Sequence, residues 1–304
     1  MDEFTAAARF IHFASVTLLA GATLFRLYAG LYTAAGIDSE IRLAFDTWLR
    51  RVVLFAAAAA LLSAIAWADS LAVSMGGGWE HALNPETLAA VLFDTSFGRV
   101  WIWRLALAAL VIVLAGVPPP GGRLPWLLIT LLSVALVASI AGVTHAAMHT
   151  AGVGALHQAA DAIHLICSAF WLGGLAALCF VLWSARRDPH WISFARYALP
   201  RFSRAGIIAI SLLLLTGIIN AVFLASLKSL FTTAYGFVLM GKICLFCAMV
   251  ALALINRWIL LPRLLAQRNA ASVTALFRNV GVEQALGVAV LVLVSILGML
   301  PPPH

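Results

Sequence analysis

The stretch AGIIAISLLLLTGIINAVFLAS, residues 205–226, decides the fold. It holds no charged residue, lies between Arg204 and Lys228, and its polar members (Ser211, Thr216, Asn220, Ser226) are isolated. About 20 such residues cross the ~30 Å hydrocarbon of a bilayer as an α-helix, which satisfies its own backbone groups. Working outward, comparable stretches recur near 6–33, 46–74, 97–117, 124–147, 157–184, 235–261 and 279–300. With the span near 200–226 they predict an all-α, polytopic membrane protein of about eight helices. Breaks fall where turn chemistry demands them: the polar run Gly36 to Asp46, the glycines 76–78 before Pro85, and Pro118 to Gly122. Pro189, Pro262 and Pro301 to Pro303 are read as ending other spans. Spans one, two and five exceed the hydrocarbon thickness and are expected to tilt or project.

Composition agrees. The chain is 63% hydrophobic and 10% charged, with mean hydropathy +1.03. A soluble domain of 304 residues has too little interior for that much apolar surface. The net charge of +7 is no sign of nucleic acid, because the basic residues sit in a few short connections. The four cysteines form no loop pair, so disulfides are not part of the framework. The first apolar stretch, Phe10 to Leu31, follows Asp2 and Glu3 and is long enough to span, which makes it a helix rather than a leader peptide.

Orientation follows from the basic residues. Arg42, Arg50 and Arg51 follow span one, and Arg123 follows span three. Arg186, Arg187, Arg196, Arg201 and Arg204 follow span five; Arg257, Arg263, Arg268 and Arg278 follow span seven. The alternate connections are poor in Lys and Arg, with Arg9, Arg99 and Lys228 as exceptions. Both termini are therefore expected outside.

The halves echo each other. Phe10-Ile11-His12 with Ala20-Gly21 aligns with Ala162-Ile163-His164 and Leu172-Gly173. Phe93 to Gly98 precedes Arg104 as Phe231 to Gly236 precedes Lys242. Residues 1–152 and 153–304 thus read as two parallel four-helix repeats of one membrane unit, with His12 and His164 as counterparts.

Chemistry concentrates at the start of the second half. Four of the eight histidines, His145, His149, His157 and His164, lie within 20 residues, with Met148 and Asp161 among them. His145 and His149 share a helical face, and His157, Asp161 and His164 follow an i, i+4, i+7 stripe. Imidazoles with a carboxylate suit Cu(II), Zn(II) or Ni(II); Met148 and Cys167 add soft donors for Cu(I). The same residues leave a second reading open. His12, His145, His149 and His164 are candidate axial ligands of a b-type haem, with Gly21 and Gly173 making room for the ring. Cys244 and Cys247 read as inert thiols in span seven. Arg26, Arg104 and Lys242 read as snorkelling cations, and Glu283 as a partner for a nearby base.

The residues also carry a family resemblance. Arg201 to Arg204, Leu215 to Ala221, Thr233 to Gly236, Lys242, Asn256-Arg257 and Leu261 to Arg263 resemble the CopD family of copper resistance membrane proteins. So do Asp161 to His164, Trp171 to Leu175, and Thr95 to Trp101 with Arg104. Where that family commonly has Gly-His, this chain has Thr144-His145. The resemblance implies an inner-membrane protein that moves copper from periplasm to cytoplasm, beside a separate small periplasmic copper-binding protein of the CopC type. There is no nucleotide-binding motif, which excludes a primary pump. The alternative is a haem-dependent membrane reductase acting on periplasmic copper.

Overall fold

The computed structural model describes residues 2–29, 37–117, 123–143, 151–224, 228–267 and 269–301. Among them there is no strand. The helices are α1 (Asp2–Tyr28), α2 (Ser39–Gly76), α3 (Pro85–Asp94), α4 (Ser96–Gly116), α5 (Arg123–Ala138), α6 (Ala151–Arg187), α7 (Trp191–Leu224), α8 (Ala234–Ile255), α9 (Leu261–Gln267) and α10 (Ala270–Leu297). Eight segments are long and apolar enough to cross a membrane: α1, α2, α4, α5 with its 3-10 extension to Gly142, α6, α7, α8 continued through α9, and α10. The protein is thus an all-α, multi-pass membrane protein. An even number of crossings brings the two chain ends to one face, where Arg9 lies against Gly298.

The boundaries are set by local chemistry. Asp38, Asn84, Thr95, Thr233 and Asn269 each accept a backbone N–H of the first turn that follows. Gly77, at φ 90, closes α2 in the left-handed conformation. The structure adds one element and corrects two expectations. The loop before α4 contains the short helix α3, started by Asn84 and by Pro85 in the first turn. The last span begins at Ala270, nine residues before its apolar window, because Asn269 caps it and no breaker follows. Pro262 does not end span seven. A π-helical segment, Asn256–Leu260, widens the turn ahead of it and the chain continues helically into α9.

α1 and α6 form the centre and touch each other along their length. Their crossing point is Gly21 against Gly173. A Cβ on Gly21 would overlap the Ala169 carbonyl and the Gly173 Cα; one on Gly173 would meet the Thr17 carbonyl and the Gly21 Cα. Small residues admit this backbone contact, which larger side chains would forbid. Around the pair, α2 packs on α1 and α7 on α6, while α5 and α10 each touch both central helices. One difference positions the site. α4 packs against α2, but among the described residues α8 does not pack comparably against α7.

Candidate metal site

The site is easiest to read beside the arrangement around His12. His12 is buried, and its Nδ1 lies 3.1 Å from the Ala60 carbonyl and 3.1 Å from Ser63 Oγ, both on α2. A carbonyl only accepts, so Nδ1 carries the proton and Nε2 carries the lone pair. Arg104 of α4 donates to that Nε2. The guanidinium also donates to Leu136 O at 2.9 Å and to Ser139 Oγ at 2.6 Å. Trp101 covers the group, its Nε1 donating to Ala64 O at 2.9 Å and its ring meeting Trp67 edge-on at 4.9 Å. Both nitrogens of His12 are engaged, and the surroundings are closed by indole rings.

His164 repeats the first half of this description and departs from the second. Thr216 of α7 gives its hydroxyl proton to Leu212 O at 2.6 Å. Its oxygen therefore accepts from His164 Nδ1, 3.0 Å away. The lone pair of His164 again sits on Nε2, but here no arginine caps it. The ring borders a cavity of about 300 Å³ with Ser168, Trp171, Gly217, Lys242 and Phe246. Lys242 is within electrostatic reach of both His164 and Asp161.

The rest of the stripe is set along α7. Asp161 accepts from Asn220 Nδ2 at 3.2 Å. His157 is buried and stacks on Phe223 with ring centroids 4.5 Å apart. His157, Asp161 and His164 thus face Phe223, Asn220 and Thr216 in antiparallel order. Thr216 and Asn220 did not enter the sequence reading as site residues. Their i, i+4 spacing inside an uncharged run was the signal that could have found them.

The structure separates some residues that sequence had grouped. His12 bonds to α2 and α4, His164 to α7, and no described residue bonds both. Among the described residues, no three His, Cys, Asp or Glu side chains gather to hold a metal ion. His145, Met148 and His149 lie outside the described residues. Cys167 is buried in the apolar core, while Cys244 and Cys247 lie on the exposed surface of α8. Snorkelling fails for two of the cations. Arg26 is buried and makes a bidentate bond to Asp46, with both distances 2.7 Å, and Arg104 is enclosed as above. Among the described residues Glu283 has no basic partner; it is held by Trp171 and Asn256.

Comparison with known proteins agrees with this architecture. Residues 1–156 match the family described as copper resistance protein D-like, N-terminal domain, and residues 196–297 match copper resistance protein D. The chain is 34% identical over 297 residues to inner membrane protein YebZ of Escherichia coli (strain K12), covering 97% of each. It is 28% identical over 312 residues to copper resistance protein D of Pseudomonas syringae pv. tomato, covering 99% of this chain and 97% of that one. It is also 34% identical over 237 residues to copper transport protein CutJ of Bacillus subtilis (strain 168), covering 75% of this chain and 41% of that one. No solved structure matches. With two family matches and a full-length relative above 30% identity, the chain belongs to the copper resistance protein D family.

Proposed function

We propose that this protein moves copper ions across the bacterial inner membrane from the periplasm toward the cytoplasm, taking them up on its second half. The observation that carries the reading is that Nε2 of His164 has no hydrogen-bond partner among the described residues, while its ring borders a cavity in an otherwise apolar body. Asp161 and His157 lie on the same stripe, and His145, Met148 and His149 precede it in sequence. Burying such groups in a bilayer is costly, about 2.5–3.5 kcal/mol for an aspartate at mid-membrane, so a stripe of them argues for a task. The relatives named for copper transport and copper resistance point to copper as the cargo.

The inner membrane is inferred from YebZ, and the outward termini from the basic connections. The two halves are a parallel repeat about an axis near the Gly21–Gly173 crossing. Ser63 and Thr216 stand at matching places beside His12 and His164, as do the Thr95 and Thr233 caps at the starts of α4 and α8. In this reading the first half is the closed copy: Arg104 occupies the lone pair that His164 offers to the ion. A separate periplasmic copper-binding protein of the CopC type is the expected donor.

The purified protein tests the reading. Metal analysis should find copper bound, and His145→Ala, His149→Ala, Asp161→Ala and His164→Ala should each lower it. The absorption spectrum should show no Soret band. A Soret band shifting on dithionite reduction would instead make the histidines haem ligands and overturn the permease reading.

A further inference from the structure

Glu283 lies in α10 with 1% of its surface exposed, deep within a membrane-crossing helix. Both carboxyl oxygens are held by neutral donors: Trp171 Nε1 at 2.7 Å and Asn256 Nδ2 at 2.9 Å. Neither can neutralise a carboxylate, so a bare negative charge here is strongly disfavoured. A buried carboxyl without an ion-pair partner is the kind of group that takes a cation from elsewhere. Cys179 of α6 is a titratable group within electrostatic reach of Glu283, and a thiol offers no positive charge to pair with a carboxylate. The charged residue of α8 that lines the cavity with Trp171 is Lys242, which is within electrostatic reach of Asp161.

Position adds the second argument. Trp171 lines the cavity beside His164 and presents its indole N–H to Glu283 on its other side. Asn256 opens the π-helical segment, where the regular ladder of the span is interrupted, and its Oδ1 is buried without a partner. Breaks of this kind recur at functional positions. Below them, toward the connection rich in arginine, Arg257 reaches Ser203. The polar groups therefore run from His157, Asp161 and His164, through Trp171, to Glu283 and Asn256.

We propose that Glu283 is the inner cation station of this pathway, holding a proton at rest and exchanging it for the cargo ion. When a copper ion passes Trp171, the O–H bond of Glu283 breaks and the proton leaves to water at the cytoplasmic face. When the ion departs, a proton from that face re-forms the O–H bond. The exchange rests on the transport reading above and adds to it a proton-binding site beyond the outer stripe.

Reconstituted vesicles test it. Wild type should accumulate copper at a rate that depends on the pH inside the vesicle. Glu283→Gln keeps the shape and removes the ionisable group. It should retain copper bound to the purified protein and lose uptake by about 5- to 150-fold, the span of a coupling of 1–3 kcal/mol. Its residual rate should ignore internal pH. Wild-type rate and pH dependence in folded Glu283→Gln would overturn the proposal while leaving the transport reading standing. Absence of uptake in wild type would overturn the transport reading itself. Should Glu283→Gln fail to fold, Trp171→Phe keeps the carboxyl and removes one donor. The proposal then expects a moved pH of half-maximal uptake, and an unmoved profile contradicts it.

Discussion

His12 and His164 carry the proton on the same nitrogen and differ in what meets the other one. Arg104 donates to Nε2 of His12, while the ring of His164 borders the cavity that Lys242 also lines. Under the proposed function, Arg104 serves stability and Lys242 the handling of the ion. Arg104→Met should leave His12 Nε2 and Ser139 Oγ without the guanidinium that donates to them, while Leu136 O keeps the Ser139 hydroxyl. It should destabilise the protein by about 3–5 kcal/mol, the usual cost of breaking a buried charged network, read as a lower unfolding temperature in detergent. Copper uptake per folded molecule should stay near wild type. Lys242→Met should do the reverse, changing uptake with little change in unfolding temperature. The histidines were legible in sequence as residue types with spacing. Their unequal availability was not, because it depends on which cation reaches each ring across three helices.

At the level of elements, the α1–α6 crossing is a close contact, backbone against backbone at Gly21 and Gly173. Overpacking a core site costs about 1–3 kcal/mol when side chains can yield, and here the obstructing atoms belong to the backbone. Gly173→Leu should therefore abolish recovery of folded protein, measured by monodisperse elution in mild detergent. Thr233→Ala, which removes the cap of α8, should be milder, costing about 0.5–2 kcal/mol. The spans themselves were plain from apolar length, and the caps from Asp, Asn and Thr before them. The π segment before Pro262 was hidden, because proline chemistry predicts a stop, and only packing of α8 and α9 against α10 carries the helix through it. The gap between α7 and α8 was likewise invisible. It arises from what is missing at the place where Trp101 and Trp67 fill the first half.

For the whole molecule, the charge pattern predicts that both ends face the periplasm. Single cysteines at Glu3 and at Met299, in a background with the four native cysteines replaced, should both react with a membrane-impermeant thiol reagent on intact cells. Protection of either would reverse or break the assigned topology. Uptake into proteoliposomes tests the proposal that copper crosses through the second half. His164→Ala and Asp161→Asn, each folded as wild type, should reduce the initial rate of copper accumulation by at least about tenfold. Undiminished accumulation in both variants would contradict it.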